Sequence, residues 1–180
     1  MKRLLIFLFC MIVLSSSSGL LCQDGIISNE SERDLSSEPG FISINELTLG
    51  IGLGQTVLPY SRSFIGFTTV NGYQINKNFV AALGTGLYFY NGGLLVPLFL
   101  DLRYRINISR ITPYVFTDGG LLLNFSDKNT RKPFVNPGIG IEYSFSRKFA
   151  VNLGSGLMIQ WSALYRDSFI NFKTGVTYKF

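Results

Sequence analysis

The sequence contains no histidine, and its two cysteines, Cys10 and Cys22, both lie near the N-terminus. Without histidine, the Ser–His and Asp–His mechanisms lack their general base, and no spacing singles out a carboxylate pair that would replace it. Without further cysteines, neither a disulfide framework nor a cysteine metal site can form after the N-terminal segment. We therefore expect no catalytic residues, no metal site and no cofactor.

Long apolar runs are also missing, because nothing beyond the first residues approaches the roughly 20 residues of a membrane-spanning helix. Yet the 180-residue chain is 47% hydrophobic, with a mean hydropathy of +0.28. A transmembrane β-barrel resolves this mismatch, since its lipid-facing residues alternate with lumen-facing ones. Without Lys2 and Arg3 of the N-terminal segment, 14 basic residues stand against 11 acidic ones, and the resulting net charge of about +3 is too small to indicate nucleic-acid binding.

The N-terminus has the pattern of a secretory signal peptide, predicted over residues 1–22. A basic start precedes an apolar core, Leu4–Leu14, and a small-residue stretch, Ser15–Gly19. Cleavage is expected after Gly19 or Cys22, with Cys22 preferred. Acylation of Cys22 is the alternative, but two leucines stand where lipoprotein signals carry small residues.

Residues 23–42 are predicted to form a flexible periplasmic linker, because the segment is acidic and rich in serine, with Pro39-Gly40 near its end. Residues 43–180 are predicted to form the barrel. Its apolar residues recur with period two, as in Leu47, Leu49 and Ile51, and glycine or polar residues stand between them.

This pattern predicts eight antiparallel strands, at about 46–54, 64–75, 79–89, 94–106, 113–125, 134–145, 149–161 and 170–180. The short connections 76–78, 107–112 and 146–148 are predicted to be periplasmic turns. The connections 55–63, 91–93, 126–133 and 162–167 are predicted to face outside. The sequence determines the number of strands only to within two, because the alternation of apolar and polar residues is weak in residues 55–63.

The glycine-rich face is predicted to be the lumen, since eight strands leave little interior room and small residues make space for larger polar ones. A soluble barrel would instead present Lys, Glu and Thr on its polar face. The predicted lumen holds eight charged residues: Glu46, Asp101, Arg103, Arg105, Asp118, Glu142, Lys173 and Lys179. They are expected to pair and plug the lumen, and the alternative is that they line a small gated pore.

Outward aromatic residues are predicted to form two girdles, at the periplasmic rim and nearer the outer rim. The first comprises Tyr73, Phe79, Tyr104, Tyr143, Phe149, Tyr178 and Phe180, and the second comprises Phe67, Phe89, Phe125, Trp161 and Phe172. The outer loops are predicted to carry five basic residues: Arg62, Lys128, Arg131, Lys132 and Arg166. These form either a solvated surface or contacts with lipopolysaccharide phosphates.

The last residues alternate apolar side chains, Val176, Tyr178 and Phe180. This pattern resembles the assembly signal of bacterial outer-membrane barrels, which implies that the barrel insertion machinery reads it. Together with the strands LGIGLG, ALGTGL, GIGI and LGSGL, the chain looks like the small OmpA/OmpX-type barrels. That resemblance implies an exported, monomeric protein of the bacterial outer membrane.

Three functions remain open. The first is a non-catalytic barrel with a structural, membrane-integrity or surface-binding role, whose partner is outer-membrane lipid or lipopolysaccharide. The second is a small-solute pore. The third is a barrel that anchors an envelope or secretion complex.

Overall fold

The computed structural model describes residues 39–53, 62–90, 93–106, 110–124, 131–161 and 166–180. Eight strands cover these ranges: β1 (Gly40–Gly52), β2 (Ser63–Gln74), β3 (Phe79–Tyr90), β4 (Gly93–Arg105), β5 (Ile111–Asn124), β6 (Arg131–Ser144), β7 (Phe149–Trp161) and β8 (Arg166–Lys179). Each strand pairs antiparallel with the next, and β1 pairs with β8 to close the barrel. The predicted all-β, eight-stranded fold is confirmed. No helix in the described ranges is long and apolar enough to cross a bilayer.

Closure of the barrel gives the backbone N–H and C=O groups of β1 and β8 hydrogen-bond partners on each other's strand. The β1–β8 ladder runs from Ile42 opposite Lys179 to Gly52 opposite Phe169. A barrel closed in this way leaves no row of unpaired N–H and C=O groups along an edge strand. The strands are 12 to 14 residues long, which exceeds the roughly 9–11 residues that a tilted strand needs to span a bilayer.

The two faces of the sheet differ as the alternation predicts. Outward residues such as Leu83 and Ile139 are 66% and 67% exposed, whereas the inward residues Ile44 and Val70 are fully buried. Apolar side chains therefore dominate the outside of the barrel, while most polar and charged strand side chains point into the lumen.

Three strands begin three or more residues earlier than the sequence predicts. Strand β1 begins at Gly40, inside the segment predicted as linker, because Ile42 faces the lumen and pairs with both neighbouring strands. Strand β6 begins at Arg131 and β8 at Arg166, inside connections predicted as loops. The backbone ladder continues there, with Arg131 opposite Leu123 and Arg166 opposite Trp161, although the side chains are no longer apolar.

The barrel has a turn end and a loop end. The turn end comprises the described residues 75–78, Ile106, Arg110 and 145–148 together with Gly40 and Lys179, and the loop end lies opposite. Side chains fix two of the tight turns. The Asn76 Oδ1 atom accepts hydrogen bonds from the backbone N–H groups of Asn78 and Phe79, at 2.9 and 2.8 Å. Ser146 Oγ accepts from Lys148 and Phe149, at 3.3 and 3.2 Å.

Outward aromatic residues are concentrated at the turn end. Phe41 and Phe145 join the predicted girdle there, and ring contacts link Tyr178 with Phe149 and Phe180 at 4.8 and 4.7 Å. The predicted girdle at the loop end is partly wrong. Phe89 and Trp161 lie there, but Phe67 and Phe172 lie near the middle of their strands, opposite Leu47 and Ser155 respectively. Phe125 lies outside the described residues.

Candidate functional site in the barrel lumen

The structure places all eight predicted lumen charges in inward positions, and the centre of their network is Arg103 on β4. Its guanidinium bonds Asp101, two residues earlier on the same face, from Nε at 2.9 Å and from Nη2 at 2.8 Å. The Nη2 atom also donates to Glu46 Oε1 on β1, at 2.8 Å. Since β1 and β4 are three places apart in the closed sheet, this ion pair crosses the lumen.

A second crossing runs through Lys173 on β8. Its ammonium bonds Asp118 on β5, and its Nζ atom lies 3.5 Å from Glu46 Oε2. Asn136 Nδ2 donates to the same Asp118 carboxylate at 2.8 Å, and Asn171 Nδ2 donates to Asn136 Oδ1 at 2.7 Å. Glu46 thus joins the two crossings into one network of charged groups.

A third pair lies nearer the turn end. Arg105 Nη2 on β4 donates to Glu142 Oε2 on β6, at 3.1 Å. Thr177 Oγ1 donates to the same carboxylate oxygen at 3.5 Å and accepts from Asn152 Nδ2 at 3.3 Å. Lys179 also faces the lumen, at the end of β8, and is buried.

Aromatic rings and glycines surround this network. Arg103 lies over the ring of Tyr114 at 5.5 Å, and Lys173 over Phe116 at 4.6 Å. A Cβ atom at Gly140 would overlap the ring of Tyr114, and one at Gly138 would overlap Phe116. The glycine face of β6 therefore makes room for the two rings that β5 presents to the lysine and arginine.

Toward the loop end, aromatic side chains fill the lumen. Phe64 contacts Tyr88, Tyr90 and Phe169, with ring centroids 4.9, 5.0 and 5.5 Å apart. Gln160 Nε2 donates to the Tyr90 hydroxyl at 2.9 Å. Sequence reasoning placed Tyr88 inside but did not identify this cluster. Strand parity was the available signal, since all four rings stand at lumen-facing positions.

Several buried polar atoms in the lumen have no protein hydrogen-bond partner within the described ranges. They include Asn152 Oδ1, Asn171 Oδ1 and the Tyr114 hydroxyl. Buried polar atoms in proteins are almost always hydrogen-bonded, to water where no protein group serves. The middle of the lumen is therefore polar enough to hold water between the charged pairs.

The five basic residues predicted in the outer loops do not share one environment in the structure. Arg131 and Arg166 are exposed strand residues at outward positions, and Arg166 lies 6.0 Å over the ring of Trp161. Lys132 has the opposite parity, so the prediction that it belongs to the outer surface is wrong. Arg62 is exposed just before β2, and Lys128 lies outside the described residues.

The three residues of the predicted assembly signal lie on the outer face of β8 and just beyond it. Val176 and Phe180 are exposed, and Tyr178 is half-buried. Phe180 also contacts Phe41 near the start of β1, with ring centroids 5.5 Å apart. The three side chains therefore contribute to the outward belt at the turn end.

Solved structures with the same fold are outer-membrane barrels. The outer membrane protein OprG of Pseudomonas aeruginosa is 12% identical, with a TM-score of 0.57, and the match covers 82% of this chain and 99% of that one. Neisserial surface protein A is 17% identical, with a TM-score of 0.55 and coverage of 80% and 100%. The N-terminal barrel of OprF of Pseudomonas aeruginosa is 18% identical, with a TM-score of 0.51 and coverage of 78% and 100%.

No protein-family model and no curated protein sequence matches this chain. The structural likeness establishes that the chain has the fold of the small eight-stranded outer-membrane β-barrels. The predicted resemblance to the OmpA/OmpX-type barrels is thereby confirmed at the level of the fold.

Proposed function

We propose that this protein is a monomeric, non-catalytic barrel of the bacterial outer membrane, with a structural or surface-binding role and a lumen that does not conduct. The observation that carries the proposal is the two crossings, Arg103–Glu46 and Lys173–Asp118, which Glu46 joins. Arg103 and Lys173 join strands on opposite sides of the lumen through carboxylates that are at most 1% exposed. A solute would have to break buried ion pairs in order to pass.

The membrane location is supported by the outward face. Exposed aliphatic side chains cover the strands, and aromatic rings surround the turn end, where amphipathic rings favour the membrane interface. An electrophoresis gel that compares unheated with boiled samples, run together with cell fractionation, tests this location. We expect a heat-dependent shift in the outer-membrane fraction. A chain found in the cytosol without such a shift would contradict the proposal.

Planar-bilayer recording tests the blocked lumen. We expect the purified protein to give no steady conductance. A variant that removes both crossings, R103S/K173S, is expected to conduct more than the wild type, because water and ions replace the ion pairs. The matched control R147S/K148S changes two exposed cations in the turn between β6 and β7 and should stay silent. Steady, reproducible conductance of the wild type would refute the blocked lumen.

A small-solute pore is the second candidate. The buried polar atoms of Asn152, Asn171 and Tyr114 that have no partner among the described residues favour it, because they indicate space for water beside the network. The same recording distinguishes the two candidates. A pore predicts wild-type conductance whose ion selectivity changes when Glu46 becomes Gln.

Lipopolysaccharide is the surface partner that the loop end suits best. Arg131 and Arg166 point outward there, and guanidinium groups bind phosphates well. We expect lipopolysaccharide to raise the unfolding temperature of the wild type more than that of R131Q/R166Q. The Lys132→Gln variant is the control, because its side chain has lumen-facing parity. An equal shift in all three proteins would exclude the lipid contact.

A further inference from the structure

Five uncharged polar side chains stand together on the outward face of β1, β2 and β3, and we name them the polar wall patch. Its members are Ser43, Asn45, Thr69, Asn71 and Thr85. On neighbouring strands, Thr69 lies opposite Asn45 on one side and opposite Thr85 on the other. Ser43 and Asn71 also lie opposite each other. Three members are exposed and two are half-buried, so the patch interrupts the apolar outer surface over three strands.

Other polar residues in the middle of outward strand faces are isolated. Thr117 on β5, Ser155 on β7 and Thr174 on β8 each lie opposite an apolar residue on both neighbouring strands. A single hydroxyl group of this kind can bond to the nearby backbone. The grouping of polar side chains therefore distinguishes the wall formed by β1, β2 and β3 from these positions.

The patch extends from the aromatic belt at the turn end toward the middle of the membrane. Phe41 and Tyr73 of the belt lie opposite each other, and Asn45 stands four residues beyond Phe41 along β1. A tilted strand advances about 2.5 Å per residue along the membrane normal, which places Asn45 roughly 10 Å inside the belt. Thr85 is the seventh of the twelve residues of β3. Outward side chains at this depth face hydrocarbon.

Hydrocarbon offers no hydrogen-bond partners, so exposing polar groups to it is costly. The amides of Asn45 and Asn71 each carry two N–H donors and an acceptor oxygen. Within the described ranges, the side chains of the patch form one hydrogen bond, from Asn71 Nδ2 to Thr69 Oγ1 at 3.4 Å. The remaining donors and acceptors of the patch therefore need partners from another molecule in the membrane.

We propose that the polar wall patch pairs with the same patch of a second copy of this chain within the bilayer. A two-fold axis along the membrane normal keeps every residue at its own depth, so polar groups meet polar groups. Amides and hydroxyls both donate and accept, so two identical patches can satisfy each other. The patch carries no charge that would repel its copy, and its short side chains allow the two walls to approach closely.

The inference rests on the membrane location in the proposed function and goes beyond it. Each barrel closes on itself, so a single copy is a complete folded monomer. Hydrogen bonds between membrane-spanning segments are individually modest, and the patch covers only parts of three strands. Pairing is therefore reversible. The monomer is the form at high dilution in lipid, and the pair forms as the ratio of protein to lipid rises.

Energy transfer between labelled copies in vesicles measures the pairing. Cys10 and Cys22 are replaced by serine, and Arg147→Cys in the exposed turn between β6 and β7 carries a donor or an acceptor dye. The full chain is folded into phosphatidylcholine vesicles, and energy transfer is followed as added lipid dilutes the protein. We expect transfer above that of random proximity, which decreases along a reversible monomer–dimer curve.

Removal of the two amides tests the patch itself. The N45L/N71L variant replaces them with apolar side chains that suit a lipid-facing wall, so the barrel should still fold. We expect the association constant to fall at least about fivefold, because the hydrogen bonds between the two copies are lost. A gel that compares unheated with boiled samples of the same vesicles verifies that each variant is folded.

Removal of hydroxyl groups gives a matched comparison. The T69V/T85V variant removes two hydroxyls from the patch and should weaken pairing. The control T117V/S155A removes two hydroxyls from the outward faces of β5 and β7 and should leave the association constant unchanged. Because both variants remove the same groups from the outer wall, a difference between them depends on position.

Disulfide formation identifies the face that pairs. In the same cysteine-free background, Thr69→Cys places a thiol at the centre of the patch, and Thr117→Cys places one on β5. We expect mild oxidation in vesicles to produce a disulfide-linked dimer with the Thr69→Cys variant and no such dimer with the Thr117→Cys variant. This readout gains a product, so it does not depend on the loss of an interaction.

Three results would overturn the pairing. The first is a folded wild type whose energy transfer never exceeds random proximity. The second is equal association of the wild type and N45L/N71L, which assigns pairing to another face. The third is equal disulfide yield at positions 69 and 117, which indicates random collisions. Absence of the heat-dependent gel shift would instead refute the membrane location on which the inference rests.

Discussion

The two ends of the barrel form their packed aromatic clusters on opposite faces of the sheet. At the loop end, Phe64, Tyr88 and Phe169 pack against one another inside the lumen. At the turn end, Phe149 and Tyr178 pack against one another on the outside. The same residue type therefore fills the interior at one end and forms the membrane-facing belt at the other.

Arginine shows the same division. Arg103 is buried in the lumen among carboxylates, whereas Arg147 is exposed in the turn between β6 and β7. The difference teaches that the role of a residue type in this barrel follows from the face of the strand on which it stands and from its height in the barrel. Paired substitutions of one residue type, inside and outside, test this directly.

The largest effect is expected from arginine. Arg103→Met leaves the buried Asp101 without its ion-pair partner and leaves Glu46 with Lys173 alone, and breaking a buried pair lowers the free energy of unfolding by about 3–5 kcal/mol. Arg147→Met at the exposed position should change it by less than about 0.5 kcal/mol. Urea titration in detergent, followed through the fluorescence of Trp161, measures both. If both variants lost the same free energy of unfolding, the proposed difference between the buried lumen arginine and the exposed turn arginine would be wrong.

Phenylalanine gives the next largest effect. Phe169→Ala opens a cavity in the loop-end cluster, where the side chain is 1% exposed, and should lower the free energy of unfolding by about 3 kcal/mol. Phe149→Ala loses a ring contact at the membrane interface and should lower it by about 1 kcal/mol. The same titration checks both variants. A larger loss for Phe149 would reverse the assignment of inside and outside.

Glycine substitutions compare the space available for a side chain on the two faces of the sheet. Gly140→Ala should lower the free energy of unfolding by about 1–3 kcal/mol, because its Cβ would overlap Tyr114. Gly119→Ala is the control, since a Cβ there meets nothing within 4 Å. Combining Gly140→Ala with Tyr114→Leu should recover part of the loss. No recovery would mean that a different contact limits this site.

The smallest effect concerns the two exposed cation–π pairs. Arg166→Gln, over Trp161 at the loop end, and Arg110→Gln, over Tyr143 at the turn end, should each lower the free energy of unfolding by about 0.5–1 kcal/mol in plain detergent. Adding lipopolysaccharide should widen the loss for Arg166→Gln only, because Arg166 is the proposed phosphate contact. Thermal unfolding with and without the lipid measures this difference, and parallel changes would argue against a loop-end lipid site.

Much of the fold could be predicted from the sequence, because the alternation of apolar and polar residues shows which side chains of a strand face outward and which face the lumen. Leu47, Leu49 and Ile51 are outward and exposed as expected, with Glu46 buried between the walls. Strand starts were less predictable. The ladder of β6 extends to Arg131, since backbone hydrogen bonding continues after the apolar pattern has stopped.

The contacts among the lumen side chains were harder to predict from the sequence. Parity placed Arg103 and Glu46 inside, but they are 57 residues apart in the chain, and only the register of the closed barrel brings them to the same height. The aromatic cluster was missed for a related reason. Phe64 and Phe169 are far apart in the chain, and their contact depends on which strands become neighbours.

The pairing of β1 with β8 also constrains how the chain acquires its structure. Ile42 finds Lys179 only after every strand between them exists, so the barrel has a closing contact of nearly maximal sequence separation. Such non-local contacts slow folding, because the entropy of ordering the chain is lost before the contact forms. Until that moment β1 presents an open edge that can pair with another chain. Aggregation before closure is therefore the main hazard on the folding pathway, and holding the unclosed chain apart from its copies should raise refolding yield more than any stabilising substitution.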